Sequence, residues 1–360
     1  MAECHVDDVA RRVSHDISSL MTARRVTIAG GGLAGLSLGI ALRRQDVPVQ
    51  ILEATSYPRH RVCGEFVSGI RPEELSALGI DAAFSTAAQH RTTAWFDAER
   101  PLLQHALPEA AHGISRHQLD LALAGQFQDL GGELICGQRC THDAEGTVWA
   151  SGRVKQDGDW IGLKAHFEHL EIAADLEVHL SDGGYVGLTR IENRRINVCG
   201  LFQRSTPLSS DSPDASALTT AVRQVGLPNL AKRLEAATCD RDSLKGVTHF
   251  SLGWQMAKDQ RLRIGDAAVM IPPFTGNGMT MAFQGALAAV PSLVAWSRSQ
   301  REWSQTRDDV MDTQQRLFAS RLRWARALQT VLLRPWGRRI VPFLLRSGCV
   351  RFDTLYRKLR

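Results

Sequence analysis

One stretch limits what this chain can fold into more than any other: VTIAGGGLAGLSLGIALRRQDVPVQILE, residues 26–53. Val26 to Ala29 is a short apolar run closed by glycine, the pattern of a buried strand. LAGLSLGIALRRQ has the composition of a helix, and VPVQILE, ending at Glu53, reads as a second strand. Strand, helix and strand in so short a span predict a βαβ unit with parallel strands.

Gly30, Gly32 and Gly35 fall between the first strand and the helix in the order GxGxxG, with Leu33 and Ala34 in the second gap. Such glycines permit a tight turn and let a pyrophosphate approach the helix N-terminus, while an acid placed like Glu53 accepts ribose hydroxyls. Glycines that served only to pack helix on sheet would leave the placed acid unexplained. The motif predicts dinucleotide binding without saying which dinucleotide.

A second stretch narrows the choice. In GDAAVMIPPFTGNGMT, Gly265 to Thr280, Asp266 follows a short apolar strand, Pro272-Pro273 stiffen a turn, and Gly276, Asn277, Gly278 and Met279 lead into the helix-forming MAFQGALAAV. Backbone N–H groups at a helix start lack intrahelical partners and can face a ligand. An acid for a ribityl hydroxyl, and a positive helix end for a ring that gains negative charge on reduction, suit a flavin. The expected cofactor is therefore FAD.

Other segments complete the organisation. ISRHQLDLALAGQFQDLGGELI predicts a helix from about His117 to Leu130, a glycine stop and a short strand, and Val148 to Ala150 another strand. From Trp160 to Arg204 the apolar period becomes two, with Asp182-Gly183-Gly184 and Asn193 supplying turns, so an antiparallel sheet is inserted into the α/β chain. Helical segments from about Asp214 to Ala237 and a strand through SLKGVTHF follow. The predicted fold class is α/β: a doubly wound, Rossmann-like FAD-binding domain, an inserted antiparallel substrate domain and a C-terminal helical tail. Residues 1–23 form an extension, with Met21 a candidate start. Segments 24–85, 110–155 and 255–300 make the FAD domain, 86–109 and 156–254 the substrate domain, and 301–360 the basic helices.

At 360 residues with 44% hydrophobic content the chain can bury a substantial core. Seven cysteines without a CxxC pair, and no recognised leader, suggest a reduced cytoplasmic setting with free thiols. Twelve histidines lack metal spacing, and no metal site is expected. The net charge of +5 hides an asymmetry: residues 316–360 carry +11, leaving −6 for the rest. That tail mixes Arg with Leu, Trp and Phe at helical spacing. It reads as two helices packed on the body with solvated arginines, or as a peripheral contact with anionic membrane. No nucleic-acid motif accompanies the charge, so no nucleic acid is expected.

Together, GGGLAGL with Glu53, PRHRVCGE, ISRHQLDLAL and GDAAVMIPPFTGNGM resemble the FAD-dependent geranylgeranyl reductase group, within the p-hydroxybenzoate hydroxylase-like flavin monooxygenase superfamily. The resemblance spans roughly residues 24 to 300. It implies that Asp266 binds the FAD ribityl chain, that Gly276 to Met279 line the pyrimidine side of the flavin ring, and that Arg116 lies near the phosphates. It also implies that RVCGE, Arg61 to Glu65, runs past the flavin, which puts Arg61 at the cofactor. Cys63 reads either as a redox thiol or as a packed small residue. Glu65 reads as a substrate-positioning or proton-donating carboxylate, or as a holder of backbone N–H groups. In the inserted sheet, Lys164, His166 and Tyr185 are placed to face the flavin cavity.

Departures from relatives narrow the chemistry. Halogenases on this scaffold need a lysine after the second strand, and no lysine occurs here before Lys155. The Asp-Gly motif usual in hydroxylases is missing from VWASGR. With no second GxGxxG, electrons must come from transiently docked NAD(P)H or from a separate reductase partner. The resemblance thus points to hydride transfer from reduced flavin to a C=C bond of a small apolar substrate, isoprenoid or polyketide-like. The alternatives are oxygen insertion through a flavin hydroperoxide (a hydroxylase or epoxidase) and a non-catalytic flavoprotein tethered by its tail.

Overall fold

The computed structural model describes residues 23–154, 156–203, 216–255, 259–347 and 349–360. Residues 1–22 of the proposed N-terminal extension, including Met21, lie outside them.

The chain opens with β1 (Val26–Ala29), α1 (Leu33–Arg43) and β2 (Val49–Glu53). Every residue from Leu33 to Leu42 is buried, because the helix has neighbours on all sides. β3 (Phe66–Val67) leads to α2 (Pro72–Leu78), which has proline in its first turn and ends at Gly79 in the left-handed region. A long hairpin, β4 (Ala88–Asp97) and β5 (Arg100–Gly113), precedes α3 (Arg116–Asp129), whose first turn is capped by Ser115 Oγ accepting from the Gln118 N–H at 3.1 Å. Then come β6 (Glu133–Cys136) and β7 (Thr147–Trp149).

The inserted region contains β8 (Trp160–Glu168), β9 (Leu176–Ser181), β10 (Gly184–Arg190) and β11 (Ile196–Gln203), followed by α4 (Ala217–Gln224), α5 (Pro228–Ala236) and β12 (Thr238–Val247). The chain returns through β13 (Gly253–Trp254), β14 (Leu262–Arg263) and β15 (Val269–Met270) to α6 (Gly278–Ser297). The tail holds α7 (Trp303–Leu332), α8 (Pro335–Arg346) and α9 (Phe352–Lys358), three helices where the sequence suggested two.

Two sheets organise these elements. A parallel sheet runs in the order β14-β7-β1-β2-β6, and the doubly wound reading holds. The chain steps outward from β1 to β2 and β6, then crosses back to β7, so the switch point lies between β1 and β7. Crevices outside the carboxyl ends of strands at such a point bind ligands. The second sheet, β12-β8-β11-β10-β9-β4-β5-β3, is antiparallel except where β4 runs parallel to β9. Its β8–β11 face packs on α4 and α5 through Leu163, Ala165, Phe167, Val198 and Leu234.

The β4–β5 hairpin was invisible in the sequence. Most of its residues are exposed or half-exposed, so no core-facing alternation marks it, and Pro101 and Pro108 read as breakers. Among the described residues, α6 is long and apolar enough to cross a membrane, with mean hydropathy 1.3. It is a core helix: Phe283, Ala286, Ala289 and Leu293 are fully buried against the first domain.

Candidate functional site: a dinucleotide cleft

The cleft begins where β1 ends. Gly30 has φ +112°, and a Cβ there would stand 2.5 Å from the Ala150 carbonyl oxygen, so the turn requires glycine. A Cβ at Gly32 would lie 3.8 Å from Arg116 Nη2, which brings the start of α1 and the start of α3 to one place. Leu33 and Ala34 are buried and Gly35 abuts the Gly30 carbonyl, so these three contribute backbone and packing rather than side chains.

Glu53 is buried at the end of β2 and is already fully engaged. One carboxylate oxygen accepts the Gly31 N–H at 2.7 Å; the other accepts the Thr55 N–H at 3.0 Å and meets Arg59 at 2.6 Å and Arg61 at 3.6 Å. Burial works to raise this carboxyl, but Arg59 and the hydrogen bonds outweigh it and hold the group below its ordinary range. Arg61 is half in solvent, whereas Arg59 is almost covered, lies over the Tyr57 ring at 4.4 Å and donates to the Gly31 carbonyl at 2.7 Å. The sequence points to Arg61 and does not single out Arg59. The two stand two positions apart outside any helix or strand, and nothing in the residue string says which lies closer to Glu53.

Arg116 is pinned by a bidentate pair with fully buried Asp120, at 2.7 and 2.9 Å. Asp266 sits in a tight turn beside Ala34, and that turn packs on the first turns of α6. Asp266 keeps exposed surface although protein crowds its side chain. That crowding raises its carboxyl, against the pull of Arg116 and Arg153. Arg153 is likewise absent from the sequence-based expectations; its signal was its place just past the end of β7, the rim where such sheets bind ligands. Four arginines (59, 61, 116 and 153) thus face three carboxylates (53, 120 and 266), a balance that suits a pyrophosphate.

The second glycine stretch forms the opposite wall. Pro273–Thr275 make a single turn, Gly276 follows at φ +67°, and α6 starts at Gly278 as predicted. A Cβ on Gly276 would strike the Phe66 ring at 2.5 Å. Phe274, Thr275, Asn277 and Met279 of this stretch are buried in the protein. Met279 is in the core, and the buried Asn277 amide donates to the Leu359 carbonyl. Gly278 and Pro273 are the exposed positions of the stretch, so backbone at the helix start is open to a ligand. Tyr185 of β10 accepts the Phe274 N–H at 3.0 Å, joining the inserted sheet to this loop.

Between the walls runs Arg61–Glu65. Glu65 has no exposed surface and adopts φ +53°. Its carboxylate takes Lys164 Nζ at 3.2 Å, His166 Nε2 at 2.6 Å and the Arg116 N–H at 3.0 Å. Burial opposes the charge, but the His166 hydrogen bond and the Lys164 ammonium prevail and keep the carboxyl below its usual range. Asn197 Nδ2 donates to the Cys63 carbonyl at 3.0 Å. Lys164 and His166 do reach the domain boundary, but both are fully buried against Glu65 instead of lining open cavity. Burial pushes the Cys63 thiol up, the reverse of what a thiolate nucleophile needs. Among the described residues no cluster of three or more His, Cys, Asp or Glu has a metal-holding arrangement.

A glycine cradle at a helix start, an arginine-rich rim and an acid at the floor fit an extended dinucleotide. The fold is shared with solved FAD-dependent monooxygenases and halogenases. Pseudomonas aeruginosa PqsL, solved with 2-aminobenzoylacetate, superposes with a TM-score of 0.68 at 16% identity, covering 89% of this chain and 100% of that one. The flavin-dependent brominase Bmp2 gives 0.74 at 16% identity over 94% and 93%, and the myxobacterial chondrochloren halogenase CndH gives 0.69 at 15% over 92% and 91%. In sequence, the menaquinone reductase of Mycolicibacterium smegmatis is 26% identical over 148 residues. The match covers 39% of this chain and 36% of that protein, so it spans about a third of the curated relative's length. No protein-family model matches the chain.

Proposed function

We propose that the chain is an FAD-dependent oxidoreductase that reduces a C=C bond of a small apolar, isoprenoid-like substrate, in the manner of the geranylgeranyl reductase group. The observation that carries this is the cleft itself: an arginine-rimmed glycine cradle that leads to a ring-side wall made of backbone and backed by apolar side chains. The partial likeness to a menaquinone reductase favours the reductive direction and a substrate with an isoprenoid tail.

FAD bound here would supply hydride to the substrate carbon. The chain's own residues hold and shield. Gly30 to Gly32 and Arg116 would hold the pyrophosphate, Glu53 the ribose, and Arg59, now on Glu53, would lie within the same arginine rim. Asp266 holds the ribityl chain, and the N–H groups at Gly278 and Met279 stabilise charge at the ring edge. Glu65, buried and ionised, positions the Arg61–Glu65 segment and is poorly placed to donate a proton. Phe274, Tyr185, Leu180 and Leu201 form one apolar cluster beside the ring-side loop and exclude water from it. Electrons come from docked NAD(P)H or a separate reductase.

The second reading, oxygen insertion, is favoured by the fold shared with PqsL, described as a probable FAD-dependent monooxygenase. Anaerobic incubation of the FAD-loaded protein with dithionite and then menaquinone separates the two. Saturation of the isoprenoid chain without oxygen supports reduction. An oxygenated product formed only in air, with none formed anaerobically, overturns it in favour of the monooxygenase.

A further inference from the structure

Helix α8 carries a surface that the cleft does not explain. Trp336, Ile340 and Phe343 are 55%, 45% and 67% exposed. At about 100° per residue they fall within roughly 60° of one another, a single apolar stripe. The stripe is fixed outward. On the opposite side of the helix Arg338 is buried and ion-pairs with both Asp97 and Asp182, and Val341 packs into the apolar cluster that contains Tyr185 and Phe274. Rotating α8 to hide Phe343 would turn Arg338 out of its pocket, break both ion pairs and leave the partly buried Asp97 without its cation.

Cations flank the stripe along the helix and follow it in sequence. Arg334 and Arg339 are exposed beside it, and Arg351, Arg357 and Lys358 are exposed on the following segment and α9. We propose that this face of α8 docks on an anionic lipid bilayer, with Trp336, Ile340 and Phe343 entering the headgroup boundary and the arginines meeting phosphate. An outward aromatic and aliphatic stripe flanked by cations is the composition of an interfacial helix. A second copy is a poorer occupant, because a two-fold contact brings the same basic surface against itself. The sequence leaves the whole tail a generic choice between packing and lipid; the structure packs one face of α7, through Val310, Phe318, Leu322, Ala325 and Leu332, and turns one side of α8 outward. The surface stands on helix geometry alone. A further role, delivery of substrate to the ring-side loop beneath α8, rests on the proposed reduction of an apolar substrate.

The test is flotation of the full chain with phosphatidylcholine vesicles with and without phosphatidylglycerol, beside light scattering of the protein alone. The expected result is co-flotation that needs the anionic lipid, reduced at least about tenfold in Ile340→Asp and Phe343→Asp and, separately, in the Arg334→Glu/Arg339→Glu pair. Both positions of each kind are exposed, and unchanged circular dichroism establishes that the variants fold. Equal flotation of wild type and the aspartate variants overturns the proposal, as does binding that ignores lipid charge. So does a concentration-dependent dimer abolished by Phe343→Asp without any flotation, which gives the face to a second copy. None of these readouts uses turnover, so failure of the catalytic reading leaves the result intact.

Discussion

At the scale of single residues, the site depends on groups whose burial sets their charge. His90 in β4 is fully buried; Nε2 donates to the Arg190 carbonyl at 2.8 Å, and Nδ1 has no partner. A second proton would have to sit on that orphaned nitrogen, and burial accordingly lowers the imidazole from 6.5 to about 4. Because the folded value is depressed, the unfolded chain binds the proton first as pH falls, so stability declines from pH 6.5 down to about 4. The expected loss attributable to this group is on the order of 2 kcal/mol by pH 5. Urea unfolding of wild type and His90→Gln at pH 7 and pH 5 measures it, and an equal drop in both proteins would show that His90 is not responsible. Arg59 and Arg153 belong to this scale too. Their roles come from loops whose paths depend on neighbours distant in sequence, so residue type alone did not reveal them.

At the scale of elements, the Arg61–Glu65 segment joins two domains through charge. Glu65 holds Lys164 and His166 of β8 and the first N–H of α3, and it is fully buried in doing so. Removing one partner of a buried ion pair strands the other, at a cost of about 3–5 kcal/mol. Glu65→Gln is expected to lose that much in chemical denaturation, and Glu65→Gln with Lys164→Met to recover most of it, since the second change removes the stranded ammonium. A single variant as stable as wild type would mean that the Lys164–Glu65 pair contributes nothing. The segment was legible as important in the sequence, because RVCGE resembles the run past a flavin. That it serves as a bolt was not, since its partners are about a hundred residues away.

At the scale of the whole molecule, both domains build the one cleft. The parallel sheet presents the strand ends, and the inserted sheet is tied to the turn before α6 where Tyr185 accepts the Phe274 N–H. A ligand that binds only the folded state stabilises it by about 2.7 kcal/mol at a hundredfold excess over Kd. FAD is therefore expected to raise the melting temperature and NAD to leave it unchanged, with Asp266→Ala losing most of the rise. Thermal melts with each nucleotide check this, and a melting point indifferent to FAD would remove the cofactor from the reading.

The sequence by itself determined the βαβ start, the glycine turn, Glu53, and the helix entry after Pro272-Pro273. These are local: strand period, glycine conformation and helix caps are fixed by residues a few positions apart. It also determined the period-two strands from β8 to β11, because β8, β10 and β11 bury an apolar face on α4 and α5 while Val178 and Leu180 of β9 pack beside Tyr185 and Phe274. The tertiary structure alone decided that Arg59 covers Glu53, that Lys164 and His166 face Glu65, that an exposed hairpin completes the large sheet, and which side of α8 is turned to solvent. Those outcomes are set by long-range packing and by the pairing of buried charges, which depend on where distant segments meet rather than on the order of residues in any one of them.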